Sequence, residues 1–146
     1  MFGTIFDIAA SAMSANRLRI NTVASNIANA ETTKTEEGGP YKRRDVVFAA
    51  TDVKPGDGFS SALDRATLKG VKVTAVIADS KEPKKIYDPG HPDADPQTGM
   101  VSMPNVNPVS EMVNLITASA AYKAAAQVVS ITKEMSTALR QLSQRF

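Results

Sequence analysis

Residues 4–30 of the chain read TIFDIAASAMSANRLRINTVASNIANA, and this stretch decides the fold. Apolar or small side chains recur along it at alternating steps of three and four residues, which is the heptad spacing of a coiled-coil helix. The series comprises Phe6, Ala9, Met13, Asn16, Ile20, Val23, Ile27 and Ala30. Thr4 and Asp7 form a pair like a capping box, so we expect the helix to begin at Thr4 and to end near Ala30. Asn16, the one polar member, either interrupts an ordinary amphipathic face or sets the register, as a buried Asn does in coiled coils.

A second long helix is predicted at the other end of the chain. Asn107 followed by Pro108 is an N-cap with proline at the first helical position, where its missing N–H costs nothing. An apolar stripe follows at steps of three or four residues, with a run of fours that departs from the heptad. Its members are Val113, Ile116, Ala120, Ala124, Val128, Ile131, Met135, Ala138 and Leu142.

Both terminal segments are poor in charge. Residues 1–30 carry three charged side chains and residues 108–146 carry six, whereas residues 31–107 hold the other 23. A helix without a charged face needs neighbours to cover it, and two helices cover only one face of each other. The remaining faces predict contacts with other subunits, so the first hypothesis is an assembly protein.

The period of the pattern changes in the middle of the chain. Glu31–Pro40 is a loop by composition. Alternation with period two then predicts strands at 45–49 and 71–77, a turn at 55–58 and a third strand near 100–103.

The predicted fold class is therefore α+β. We expect a coiled-coil helix over 1–30, a small β-rich, loop-containing outer segment over 31–107, and a second coiled-coil helix over 108–146 that pairs with the first.

Composition excludes several classes of function. The 146 residues contain no Cys, which excludes disulfides, thiolate catalysis and Cys-ligated metals. A net charge of +2 is too small to imply nucleic acid or a membrane surface as partner. The N-terminus has neither the basic region nor the uninterrupted apolar stretch of a cleaved secretion signal, so we expect any export to use a route without one.

One cluster could carry chemistry, the run Asp-Pro-Gly-His-Pro-Asp-Ala-Asp-Pro at 88–96. One His and three carboxylates are enough ligands for a divalent metal. The spacing, however, matches neither an EF-hand loop nor a zincin helix, and three prolines favour a stiff surface loop. We expect no enzyme activity, no cofactor and no small-molecule substrate. The alternative is a small metal-dependent hydrolase that uses the Asp88–Asp95 loop.

Four blocks of sequence carry a resemblance to a known family. The first is Asn26-Ile27-Ala28-Asn29-Ala30-Glu31-Thr32, and the others lie at 38–48, 87–95 and 103–113. The first block resembles the signature that closes the N-terminal helix of the axial proteins of the bacterial flagellum, which form its rod and hook. The other three resemble a proximal-rod member of that family, with another rod or hook member as the alternative.

The resemblance implies a structural subunit of the basal-body rod, a hollow drive shaft that transmits torque from motor to hook. Members are exported through the flagellar type III apparatus without a cleaved signal, and they assemble in the periplasm with other rod subunits and copies of themselves. The basic run 42–44 is a solvated face, an intersubunit salt-bridge donor or a contact with peptidoglycan. The expected assembly interface comprises Phe6, Met13, Asn16, Ile20, Val23, Ile27, Asn29, Val113, Ile116, Ala120, Ile131, Met135 and Leu142.

Overall fold

Two long helices flank four short strands in the order of the chain. The structure, a computed structural model, describes residues 2–53 and 68–143. Its elements are α1 (Phe2–Ala28), β1 (Arg44–Asp52), β2 (Lys69–Ala78), β3 (Lys84–Tyr87), β4 (Met100–Met103) and α2 (Pro108–Ser143). The α+β class is confirmed, while the turn predicted at 55–58 lies outside the described residues. None of the described helices combines the length and the apolar character needed to cross a membrane.

Helix α1 covers the predicted segment with shifted ends. It begins at Phe2, so Thr4 lies inside the helix and the predicted capping-box start is wrong. Gly3 lowers helix propensity in this turn but does not end a helix. At the other end, the Ser25 carbonyl accepts both the Asn29 backbone N–H at 3.1 Å and the Asn29 side-chain amide at 2.9 Å. Every described residue with positive φ is a glycine, so α1 does not end on a left-handed Asn29.

The start of α2 is as predicted. The Asn107 side-chain oxygen accepts hydrogen bonds from the backbone N–H groups of Val109 at 3.0 Å and Ser110 at 3.3 Å. Pro108 is the first helical residue and needs no partner for a backbone donor. Glu111 follows in the first turn, where the helix dipole favours a negative charge.

The strands form two separate two-stranded sheets, β1–β2 and β3–β4. In the first, the Asp79 N–H donates to the Arg43 carbonyl at 2.7 Å, and Lys69 forms an ion pair with Asp52. These contacts join the two segments in opposite order, as antiparallel pairing requires. The predicted strands 45–49 and 71–77 fall within β1 and β2 and are confirmed.

The β3–β4 hairpin contains a strand that the sequence pattern did not predict. Tyr87 lies opposite Met100 in an antiparallel register, and β4 coincides with the predicted strand near 100–103. All four residues of β3 are exposed, so they show no alternation between buried and exposed positions. Gly99 closes the hairpin loop at φ +66°, where a Cβ would lie 2.8 Å from the Tyr87 ring.

The described residues group into two compact units. The first draws on the described residues within Met1–Leu18, Val47–Ala75 and Thr117–Phe146. Its buried positions include the small residues Ala9, Ala15 and Ala118. Strand β2 approaches α1 closely there: the Val71 N–H donates to the Ser11 hydroxyl oxygen at 3.1 Å. A Cβ at Gly70 would lie only 3.1 Å from that same oxygen.

The second unit draws on Arg19–Val46 and Val76–Ile116. Its buried apolar residues are Val23, Val101, Pro104 and Val106. Beside them it buries two polar side chains, Asn26 and Glu111, which are 0% and 1% exposed. Burying polar groups is unfavourable unless they are hydrogen-bonded, so their partners determine how this unit is held together.

Candidate assembly interface

Asn26, near the end of α1, uses its full hydrogen-bonding capacity. Its amide nitrogen donates to Glu111 Oε2 at 2.9 Å and to the Arg44 carbonyl at 2.8 Å. Its oxygen accepts from the Arg44 N–H at 2.9 Å and from the Tyr41 hydroxyl at 3.0 Å. An asparagine side chain offers two donors and two lone pairs, and all four are engaged here.

Glu111, in the first turn of α2, is the anionic centre of the same group. Its Oε1 accepts from Arg43 Nε at 2.8 Å and from the Asn114 amide at 3.3 Å. Arg43 also pairs with Asp45 at 3.3 Å. Burial alone would lower the pKa of Arg43, but the hydrogen bond and charge of Glu111, helped by Asp45, raise it above its ordinary value.

These residues join three segments that are distant in sequence. We call Asn26, Tyr41, Arg43, Arg44 and Glu111 the polar cluster. It connects the end of α1 with the segment leading into β1 and with the beginning of α2. In the described part of the chain, every buried side-chain nitrogen or oxygen has a hydrogen-bond partner. The cluster therefore fixes both helices to the outer segment at one point, without an unpaired buried group.

The acidic loop at 88–96, considered above as a metal site, is held by hydrogen bonds among its own and adjacent residues and by one to Thr33. His91 Nδ1 accepts from the Asp93 N–H at 3.0 Å, and Asp93 accepts from the Thr33 hydroxyl at 2.7 Å. Asp95 accepts from the Gln97 N–H, which, with the Thr98 side chain, holds the pKa of Asp95 below its ordinary value. Among the described residues, no three His, Asp or Glu side chains converge as metal ligands would.

The residues of α1 predicted for the assembly interface lie on its covered face. Val23 is buried, and the others are half-buried: Phe6, Met13, Asn16, Ile20, Ile27 and Asn29. The Asn16 amide donates to the Ala12 carbonyl of its own helix at 2.8 Å. The asparagine that bonds across to α2 is Asn26, which the heptad series passes over.

Helix α2 turns a different row of residues inward from the one predicted. This inner row follows alternating steps of four and three residues, and its members are all buried or half-buried. They are Glu111, Leu115, Ala118, Tyr122, Ala125, Val129, Thr132 and Ser136. Most of these side chains are small or polar, so apolar periodicity did not single them out.

The predicted stripe of α2 lies on the exposed side of the helix. We call it the outer stripe: Val113, Ile116, Ala120, Ala124, Val128, Ile131, Met135, Ala138 and Leu142. All of its members are exposed, and its large side chains range from 44% for Val128 to 69% for Ile116. At 3.6 residues per turn the centres of the two rows lie about 150° apart around the helix. The part of the predicted interface on α2 is therefore accessible in the single chain.

Comparison with known proteins identifies the family. Residues 6–34 match the family described as flagella basal body rod protein, and residues 97–142 match the flagellar basal body rod FlgEFG protein C-terminal family. The flagellar basal-body rod protein FlgC of Borreliella burgdorferi is 39% identical over 141 residues, which cover 92% of each protein. The FlgC proteins of Salmonella typhimurium and of Escherichia coli O6:H1 are each 43% identical over 131 residues, 90% of each chain. The chain belongs to the FlgC family of flagellar basal-body rod proteins.

FlgC proteins are structural components of the flagellum, not enzymes, so the prediction of a structural rod subunit is confirmed. Three of the four blocks that resembled the family supply the polar cluster: Asn26 from the first, Tyr41 and Arg43 from the second, Glu111 from the last. The remaining block contains Asp93, which bonds to Thr33 directly after the first block.

Sequence reasoning missed Glu111, Tyr41 and Arg43 as a connected group. Their partners lie 15 to 85 residues away along the chain, beyond the reach of any local pattern. One signal was available: Glu111 is one of only six charged residues over 108–146. A charge in such a helix needs a specific partner if it is buried.

Proposed function

We propose that the chain is a subunit of the proximal rod that polymerises through α1 and α2 with copies of itself and with other rod subunits. The observation that carries this proposal is the outer stripe, a row of exposed apolar side chains along most of α2. Large exposed apolar surfaces mark sites of protein contact. Full burial of a large apolar side chain contributes about 1.5–3 kcal/mol. The side chains of the outer stripe are already partly covered, so each contributes part of that, and a stripe of this length can still drive assembly.

The two terminal helices are further proposed to pair as a coiled coil that lines the inner tube of the rod. The α1 series and the inner row of α2 both follow alternating steps of three and four residues. Asn26 bonds to Glu111, while Arg17, earlier in α1, lines a pocket with Tyr122, later in α2. Contacts in this order support antiparallel pairing of the helices.

Residues 31–107 would then form the outer layer, with the polar cluster joining them to the helices. A rod that transmits torque must pass force between its inner and outer layers. Glu111 contributes to that connection as the buried half of an ion pair with Arg43, whose side chain is 22% exposed. Buried hydrogen-bonded ion pairs fix a geometry even where they add little net stability.

Export and location follow from the same assignment. The proposed route is the flagellar type III apparatus, without a cleaved signal, and the proposed destination is the periplasmic part of the basal body. Contact with peptidoglycan is proposed for Lys42 and Arg44, which are both exposed. The Arg43 side chain is instead engaged in the polar cluster.

Replacing Ile131 with Asp tests the assembly proposal. Ile131 is 47% exposed, so the free subunit should keep its fold and its circular dichroism spectrum. In an assembled rod the added carboxylate would replace an apolar side chain at a buried contact, which costs several kcal/mol and should block incorporation. The measurement is the amount of the chain in isolated basal bodies, together with swimming.

Lys133→Asp is the matched control, because Lys133 is also exposed but lies about 200° further around the helix. Basal bodies containing normal amounts of Lys133→Asp but none of Ile131→Asp would support the proposal. Normal incorporation and swimming with Ile131→Asp would show that the outer stripe is not an assembly surface.

A further inference from the structure

The first compact unit carries an open pocket whose chemistry is distinctive. Ala10, Met13, Ser14 and Arg17 of α1 line it together with Tyr122 of α2, and its volume is about 230 Å³. Its lining is mostly apolar, and Arg17 supplies the single charge. Such a pocket suits an apolar side chain that has a carboxylate beside it.

The outer stripe of α2 offers a segment with that chemistry. Ile131 and Met135 are 47% and 55% exposed, and Glu134 is exposed beside them. Glu134 is the one carboxylate in the described part of α2 apart from the buried Glu111. Among residues 2–53 and 68–143, neither Arg17 nor Glu134 takes part in an ion pair. Glu134 Oε1 accepts one exposed hydrogen bond from the Ser130 hydroxyl at 3.3 Å, which leaves its charge without a cationic partner there.

The same chain cannot bring this segment to its own pocket. Tyr122 and Ile131 belong to one continuous helix and are nine residues apart. At a rise of 1.5 Å per residue they are held about 13 Å apart along the helix axis. The segment that fits the pocket must therefore come from another molecule.

We propose that the pocket of one copy receives Ile131 and Met135 of a second copy of this chain, with Glu134 pairing with Arg17. This inference rests on the proposed function and names one of its contacts. The receiving surface differs from the inserted one, so the contact is heterologous. Heterologous contacts form rings or open helical filaments rather than closed dimers, which is the kind of association that a helical rod needs.

Engineered cysteines test the contact directly, because the natural chain has none. Ser14 is exposed at the pocket and Met135 lies in the inserted segment, so the paired variant Ser14→Cys/Met135→Cys places one thiol on each surface. A disulfide forms only when the two Cα atoms come within about 7 Å. Mild oxidation of basal bodies should give a ladder of covalent multimers, identified by mass spectrometry as this chain alone.

The control variant Ser14→Cys/Lys133→Cys moves the second thiol to the far side of α2 and should stay monomeric. Two outcomes would overturn the contact between copies while leaving the rod assignment intact. In both, the Ser14→Cys/Met135→Cys variant is present in basal bodies, but oxidation gives either no multimers or adducts with a different rod protein. Absence of the unmodified chain from basal bodies would overturn the proposed function itself.

Charge reversal gives an independent measurement that does not depend on thiol chemistry. Arg17→Glu and Glu134→Arg should each reduce the amount of chain in basal bodies about tenfold, since each places like charges together. Combining the two reversals restores the pair with opposite polarity and should return the amount to within about twofold of normal. Failure of the combination to recover any of the loss would overturn the Arg17–Glu134 pairing.

Discussion

At the scale of single residues, Asn26 uses every hydrogen-bonding position of its side chain. Its four hydrogen bonds reach Tyr41, Arg44 and Glu111, so one amide connects two helices with the first residue of β1 and the segment before it. The sequence placed Asn26 in a family-like block but gave it no role, because a helical pattern ranks positions by apolar character. What makes it important is the identity of its distant partners, which only the folded chain brings together.

Removing the Glu111 carboxylate from the polar cluster should destabilise the folded subunit. Glu111→Ala leaves Arg43 without its buried partner and the Asn26 amide with one unused donor. We expect the free energy of unfolding to fall by about 3–5 kcal/mol, as when one half of a buried ion pair is deleted. Urea denaturation of the purified chain measures it.

Glu134→Ala is the matched control for that experiment, because it removes an exposed carboxylate from the same helix. It should change the free energy of unfolding by no more than about 0.5 kcal/mol. Equal small losses for both variants would mean that the polar cluster does not stabilise the subunit.

The Asp95 carboxylate should titrate at unusually low pH. Hydrogen bonds from the Gln97 N–H and from Thr98 favour its charged form, so the pKa of Asp95 in the folded chain is below the ordinary value. The turn gains stability above that ordinary value of about 3.9 and loses it as the pH falls through the lower folded pKa.

The carboxyl carbon shift of Asp95, followed by NMR from pH 6 downward, reports this titration. Thr98→Ala removes one donor and should move the midpoint back up. A midpoint at or above the ordinary value in the natural chain would contradict the assigned hydrogen bonds.

At the scale of elements, α2 shows what periodicity can and cannot predict. The outer stripe was found because its large apolar side chains repeat at helical spacing. The inner row repeats with a more regular spacing, but small and polar residues such as Ala118 and Thr132 occupy it. A repeat tells which residues share a face of a helix; it does not tell whether that face meets the same chain or another one. In a polymer subunit the larger apolar residues can belong to the contact between molecules.

The β3–β4 hairpin requires a glycine at position 99, and no pattern in its sequence predicts this requirement. Gly99→Ala would require an L-residue at φ +66° and a Cβ at 2.8 Å from the Tyr87 ring. We expect a loss of about 1–3 kcal/mol, the usual cost of such backbone strain. Gly90→Ala, in the same loop, is the control, because its Cβ would meet only Asp88 at an ordinary 3.6 Å. Indistinguishable thermal unfolding of the two variants would argue against this account.

At the scale of the whole molecule, local rules predicted the order and type of most elements. The N-cap of α2 and strands β1, β2 and β4 follow from side-chain chemistry within a few residues. The short strand β3 and the polar cluster do not, because each depends on segments distant in sequence. Strand β3 forms by pairing with β4, and the polar cluster forms where three separate segments meet.

The burial of Glu111 also decides how the subunit responds to its surroundings. Dissolved ions weaken attraction between charges that face water, with a screening length of about 8 Å at physiological ionic strength, but they act much less on a buried pair. The link between the helices and the outer segment should therefore hold equally well in dilute and in saline media. The proposed contact between Arg17 and Glu134 of neighbouring copies, made of exposed groups, would weaken as salt rises. In a flagellated cell that moves between fresh and salty water, the fold of each subunit would then stay the same while the strength of the contact between subunits changes.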